Sequence, residues 1–362
     1  MFLLITSFLY ILQCAVAQLS GANWRKILLI ISGLMAAVYS CFYAKDSPIY
    51  HNAYQMYGAT DFSNFAVERI NMEPLFLVVS KINHAIGLPV FFVFLIFAFI
   101  SVSTKISLIS KVSISPKISF GLFFCYFFIL HDSTQIRASI GIAVAYYAIY
   151  LLSQNKKFIF IFVIIFSGVF VHSSSFIALL LLPYNLLGRR INNFDLKVLI
   201  LSLFIGAITA TVSLVSLANF KIAALLIITN KLAIYGENAE ELTRVGPFST
   251  FHIMSFLFTS FFLFVSKSFG RAEFLFFRCL CIANLAFVVF PDFKVIQFRL
   301  VEFLLFSTVF LVPRGLNFVS EKTNLSFGKV IAPIYFSLCL VIFVFYTGVY
   351  QMLQYRSFDW NG

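Results

Sequence analysis

Two residues with reactive chemistry sit at the open ends of one apolar hairpin, Arg137 and His172. The stretch from His131 to Ser175 holds two apolar runs joined by Gln154, Asn155, Lys156 and Lys157. A guanidinium keeps its charge when desolvated, and its planar fork matches phosphate oxygens. An imidazole titrates near neutrality and can accept a proton from a hydroxyl. His131, Asp132 and Gln135 precede Arg137, and a second polar group, Arg299 and Glu302, opens a later run. Asp46, Tyr50, Glu73 and Arg244 lie in or beside two polar segments. Acids there can bind sugar hydroxyls, and Tyr43, Tyr50, Tyr54 and Tyr57 can stack on sugar rings. Each group also has a plainer reading. Charges at helix ends snorkel to the interface, His172 can make an interhelical hydrogen bond, and polar segments can simply be solvated. There is no H-E-x-x-H, no G-x-S-x-G, no Gly-rich phosphate loop and no D-x-D pair. The sequence therefore predicts no metal and no cofactor; paired arginines can neutralise a diphosphate leaving group instead.

The elements that hold these groups are membrane helices. The chain is 61% hydrophobic and 11% charged over 362 residues, where soluble domains carry about 25% charge. Its apolar runs are continuous, which argues against a β-barrel. About twelve spans can be traced, giving one all-α polytopic domain over 1–362 with outer polar segments at 44–87 and 219–248. Pro74 to Gly87 is amphipathic and reads as an interfacial or dipping helix. The third span is read as Leu88 to Thr104, followed by a basic loop with Lys105, Lys111 and Lys117. Ala15-Val16-Ala17 resembles a signal-peptidase site only weakly, because no Lys or Arg precedes it. The six cysteines, scattered through apolar runs, read as small buried hydrophobes. Placing the turn at 20–26 in the cytoplasm puts fifteen Lys and Arg, Lys105 among them, against Asp195, Glu273 and Glu321 in cytoplasmic loops. The net charge of +12 is thus positive-inside topology, and nucleic acid is not needed to explain it.

Several runs are short. Ile118–Leu130, Ala138–Ser153, Phe158–Val171 and Leu300–Val312 have about 13 to 16 residues. They span roughly 20–24 Å at 1.5 Å per residue, against an apolar core of about 30 Å. Basic residues anchor their cytoplasmic ends. Their outer ends then stop below the outer surface, which predicts a wet funnel lined by His131, Asp132, Gln135, Arg137, His172, Arg299 and Glu302. An outward cavity with two arginines suits a lipid-linked phosphate or diphosphate.

These residues resemble the EpsG-like branch of the Wzy polysaccharide polymerases. Lys45-Asp46-Ser47-Pro48-Ile49-Tyr50 is similar to the family's Asp followed by Tyr after the second helix. Glu73-Pro74-Leu75-Phe76 resembles its Glu-Pro-Gly-Phe, with Leu75 in place of Gly. Ile136-Arg137 through Ile142-Ala143 resembles its Ile-Arg-Gln helix start, with Ala138 in place of Gln. Val171-His172-Ser173-Ser174 resembles its His-x-Ser turn, and Arg299 to Glu302, Phe303 and Pro313 resemble its late Arg…Tyr-Phe…Pro run. The resemblance implies a polytopic glycosyltransferase fold of the GT-C-like kind. It implies undecaprenyl-diphosphate-linked oligosaccharide repeat units, joined on the outer face of a bacterial inner membrane. It also implies a chain-length regulator and a flippase as partners. On this reading His172 and Arg137 are catalytic. Arg299, Arg244, Asp46, Tyr50, Glu73, His131, Asp132, Gln135 and Glu302 bind substrate.

Three other functions share features with this reading. A ligase joining finished glycan to an acceptor also binds a lipid diphosphate, though it usually carries a larger outer segment. A lipid-linked oligosaccharide transporter needs basic residues reaching the cytoplasmic half and internal pseudo-symmetry, and neither is seen. A catalytically dead scaffold of a synthase complex is the third.

Overall fold

The computed structural model describes residues 23–42, 44, 46–59, 73–172, 175, 192–211, 249–289 and 294–323. Among them every regular element is a helix. Four helices are long and apolar enough to cross a membrane, and a fifth candidate is a bent pair. The protein is a multi-pass membrane protein. The sequence traces further apolar runs at 2–19, 173–187 and 330–350 and a polar segment at 219–246; apart from Ser175 they lie outside the described residues. The chain divides into two compact units, 1–179 with 312–362, and 180–311.

The first unit begins with α1 (Asn23–Phe42), α2 (Ser47–Ala59) and α3 (Pro74–Ala85). Pro74 starts α3, where a missing N–H costs nothing. Helix α3 buries Phe76, Leu77, Ser80 and Asn83, one stripe at helical spacing, and packs against α2. Asn83 Nδ2 donates to Tyr54 Oη at 3.1 Å and to the carbonyls of Leu88 and Pro89 at 3.1 and 3.0 Å. Gly87, at φ 71°, closes the helix. Leu88 N bonds to Asn83 O and Gly87 N to His84 O, both at 3.0 Å, a left-handed cap that glycine makes without strain.

Helix α4 (Phe91–Val112) is 22 residues long, about 33 Å. It packs against α1 and against α6 (Ile136–Ser153). Its outward face carries Phe92, Ile96 and Ile100, as a lipid-facing surface does. Its inward face carries Phe94, Phe97, Ala98, Ser101, Val102 and Lys105. The expected loop after Thr104 is therefore helix. No Gly or Pro interrupts the chain before Pro116, so the helix runs on to Val112. Lys105 then lies inside the bundle with a fully buried side chain and is not a loop cation.

Helix α5 (Pro116–Leu122) continues directly as a π-helix (Phe123–Asp132). A corner, Ser133 to Gln135, with Ser133 and Thr134 buried, leads into α6. Helices α6 and α7 (Phe158–Val171) form the hairpin expected from the sequence. Asn155 makes the turn at φ 57°, with Lys156 N bonded to Leu151 O and Asn155 N to Leu152 O at 3.3 and 3.2 Å. Helix α7 buries Ile161, Ile165 and Gly168 against α6 and turns Ile159, Phe160, Phe162, Val163, Phe166 and Phe170 outward. At 14 residues it is short, as expected. By contrast α6 starts at Ile136 and has 18 residues, about 27 Å. The expected recess at its outer end is correspondingly smaller.

The second unit contains α8 (Asn192–Thr211), α9 (Thr250–Val265), α10 (Arg271–Val289) and α11 (Lys294–Leu305). Helix α10 packs against the other three. Polar side chains join them, as in membrane bundles generally. Asn284 Nδ2 donates to Thr259 Oγ1 at 2.8 Å, and Gln297 Nε2 to Phe287 O at 2.6 Å. Asp195, expected in a cytoplasmic loop, lies in the first turn of α8 and is buried beside Arg278 at 3.4 Å. Once Arg278 is placed inside the bundle, its charge requires a partner there. The run Leu300–Val312, expected as one span, is broken. Helix α11 ends at Leu305, and α12 (Thr308–Thr323) begins after a two-residue break. The chain returns to the first unit's residues within α12.

Candidate functional site

The first unit gathers most of the predicted polar residues around the start of α6. Arg137 occupies the first turn of that helix and is half-buried. Its Nη1 donates to Glu73 Oε2 in an ion pair. Its Nε donates to Tyr50 Oη at 3.1 Å, and the guanidinium carbon lies 5.1 Å from the Tyr50 ring centroid. Asp46 is near enough to act electrostatically on both. Tyr50 is fixed from behind by Phe76 and Phe94, at ring separations of 5.3 and 5.7 Å. Burial raises its phenol above the ordinary value, against the pull of Arg137, so the phenol is neutral and serves as acceptor to Arg137. Residues from three distant stretches, Asp46–Tyr50, Glu73 and Arg137, thus form one cluster.

His172 caps the C-terminus of α7, with its N–H on Gly168 O at 2.9 Å. It continues the buried stripe of Ile161, Ile165 and Gly168 and so turns toward α6. There it meets Gly141. A Cβ on Gly141 would lie 3.0 Å from His172 Cβ and 2.8 Å from Ser175 Oγ. A Cβ on Gly168 would lie 2.9 Å from Val144 Cγ1. The two glycines let the helix backbones approach where the imidazole sits. Gly141 follows Arg137 by four residues and shares its face of α6. His172 therefore packs on α6 about one turn, roughly 6 Å along the axis, below the Arg137 backbone.

His131 and Asp132 were expected on the wall of a wet funnel. Both are buried, at 3% and 1% exposure. His131 stacks on Phe127 at 6.1 Å and lies within electrostatic range of Lys105 and His172. Asp132 Oδ2 pairs with Lys105 Nζ at 2.7 Å. Its Oδ1 accepts from Ser101 and Ser139 at 2.7 and 2.5 Å. Gln135, half-buried, is the residue before α6. Ser101, Lys105 and Ser139 are not among the sequence candidates, because Lys105 reads as a loop cation after an apolar run. The available signal was Ser101 and Lys105 at i, i+4 on the face of Phe94 and Phe97–Ala98.

In the second unit Arg299 is exposed and lies at the sixth position of α11. It does not begin the helix, as expected, because α11 starts at Lys294. Glu302 follows one turn later, on the same face, within its electrostatic reach. Arg244 lies outside the described residues. Among the described residues no three His, Cys, Asp or Glu side chains cluster to hold a metal ion.

A polar cluster of Arg, carboxylate and Tyr at one end of an apolar helical bundle defines a class: multi-pass membrane proteins with an ionisable site at a helix terminus. The sequence model of the EpsG family matches residues 3–357, and the chain belongs to that family. No curated protein and no solved structure matches it.

Proposed function

We propose that this protein is a polysaccharide polymerase of the cell envelope, a membrane-embedded glycosyltransferase. It joins undecaprenyl-diphosphate-linked oligosaccharide repeat units on the outer face of the bacterial inner membrane. The family's link to polysaccharide biosynthesis supports the polymerase-like role. The observation that carries the site is the placement of Arg137, held by Glu73 and Tyr50, on the face of α6 whose Gly141, one turn below, meets His172 of the neighbouring helix end. About twelve spans of the GT-C-like kind, with the 44–87 and 219–248 segments outside, complete the proposal. A flippase supplies the repeat unit, and a chain-length regulator limits the product.

The proposed step breaks the bond between the anomeric carbon of the growing chain and its diphosphate. A hydroxyl of the incoming repeat unit forms the new glycosidic bond. Its proton passes to His172, and undecaprenyl diphosphate leaves with the electron pair. Tyr50 and Glu73 take two of the five N–H groups of Arg137, leaving donor capacity for phosphate oxygens. Glu73 sets the direction of the fork. Arg299, Arg244 and Glu302 are assigned to substrate binding, Asp46 to the surroundings of Arg137, and His131 and Gln135 to the surroundings of the acceptor; Asp132, its carboxylate already taken by Lys105, Ser101 and Ser139, acts from behind the site.

Deleting the gene and sizing the surface glycan tests this reading. Single-repeat glycan in the deletion strain, restored to a ladder by the wild-type gene, is the expected result. Full-length glycan retained on its carrier indicates a ligase. Repeat units trapped on the cytoplasmic side indicate a transporter.

A further inference from the structure

Deep in the first unit a lysine and an aspartate are both fully buried and paired at 2.7 Å. Ionisable residues at such depth are expensive, and a well-packed apolar pair would serve stability as well or better. Their location gives them a use. Asp132 ends the π-helix, five residues before Arg137. Its carboxylate receives Lys105 and Ser101 from α4 and Ser139 from α6. Lys105 Nζ also donates to Ser139 Oγ at 2.7 Å. Ser40 of α1 donates to the carbonyls of Asp132 and Ser133 at 3.1 and 2.9 Å. Three helices are thus fastened to one corner.

That corner sets where α6 begins and how it is rotated. Ser139 follows Arg137 by two residues, about 200° around the helix. The first turn of α6 is gripped on one side by the network while Arg137 and Gly141 project from the other. A change of rotation or register at the corner moves the guanidinium and the surface beneath His172 together.

We propose that Lys105, Asp132 and Ser139 are positioning residues that orient Arg137 and the Gly141 face for glycosyl transfer; this rests on the polymerase reading above. The discriminating variant is Lys105→Met/Asp132→Leu in the full chain. It removes both charges at once and avoids stranding either one. Two readouts are taken in membranes. One is kcat/KM for the lipid-linked repeat unit. The other, independent of activity, is the maleimide labelling rate of Ala138→Cys, corrected for the same chain without that substitution. The double variant is expected at wild-type abundance and melting temperature. Ala138→Cys labels several-fold faster in it, and kcat/KM falls about 100-fold, the scale of a misplacement near 1 Å.

Ser139→Ala leaves the ion pair in place but removes the bond donated to Asp132 and the one accepted from Lys105, and is expected to lose about 5- to 100-fold, the worth of two hydrogen bonds. It decides the matter if the double variant does not accumulate. Unchanged labelling in a folded double variant, or unchanged labelling and kcat/KM in Ser139→Ala, overturns the proposal. Faster labelling together with a normal ladder from Arg137→Ala removes the reaction reading of the site, and the positioning role with it. Faster labelling with an Arg137-dependent ladder supports both.

Discussion

Replacing Arg137 separates a charge requirement from a geometric one. Arg137 makes three directed contacts: the ion pair to Glu73, the Nε bond to Tyr50 at 3.1 Å, and the face of the Tyr50 ring at 5.1 Å. Its side chain is 19% exposed and that of Glu73 12%, so the pair is partly screened. Breaking it by Arg137→Ala costs less than the 3–5 kcal/mol of a fully buried pair, about 1–3 kcal/mol of stability. The functional loss is larger than that stability loss can produce. One charge-assisted contact to a leaving diphosphate, worth about 1.5–3 kcal/mol, converts to roughly 10- to 150-fold in rate. Two phosphate contacts from one fork give about 10²–10⁴-fold. Arg137→Lys keeps the charge and loses the fork and the ring stacking. It is expected to recover part of that loss and to remain at least tenfold below wild type. The assay is the glycan ladder made by membranes carrying equal amounts of each variant. A normal ladder from Arg137→Ala, or full recovery in Arg137→Lys, would refute the reasoning.

His172→Ala is expected to leave folded protein and unpolymerised single repeats, because general-base help contributes about 10²–10⁴ in rate; a normal ladder makes His172 structural. Gly141→Val places side-chain atoms where His172 Cβ and Ser175 Oγ already lie within 3.0 Å. It should lower polymer output at unchanged expression, and wild-type output would show that the imidazole need not sit there. Arg299→Ala is expected to cut output strongly with Arg299→Lys restoring part, measured on the same ladders; full activity of Arg299→Ala removes it from the site. For topology, Ile86→Cys should react with a membrane-impermeant maleimide in spheroplasts and Asn155→Cys only after permeabilisation. The reverse pattern overturns the orientation.

The hairpin of α6 and α7 was legible because its runs are apolar and its turn, Gln154 to Lys157, is polar with an asparagine to take the left-handed position. Arg137 and His172 fell at helix ends as their place in the runs required. The cluster of Tyr50, Glu73 and Arg137 was legible only as separate candidates, since nothing local says that residues 87 and 64 positions from Arg137 meet it. Lys105 was misplaced because a cation after an apolar run looks like the end of a span. Only the tertiary partner, Asp132, makes it tolerable inside one. The same holds for Asp195, whose partner Arg278 lies far along the chain. The break at Phe306–Ser307 carries no Gly or Pro, so the run reads as continuous. The π-helical form of Phe123–Asp132 is likewise invisible to a hydrophobic pattern.

The proposed function requires that one polypeptide transfer glycan from a lipid diphosphate to a second lipid-linked repeat unit. The direct measurement uses the purified protein in nanodiscs with undecaprenyl-diphosphate-linked repeat unit as sole substrate. Products are sized by mass spectrometry and released undecaprenyl diphosphate is counted. The account predicts a ladder rising by one repeat unit per step, one undecaprenyl diphosphate released per bond formed, and neither product from the Arg137→Ala or His172→Ala protein. Unextended substrate with active protein, or a ladder that forms equally well without both residues, would contradict it.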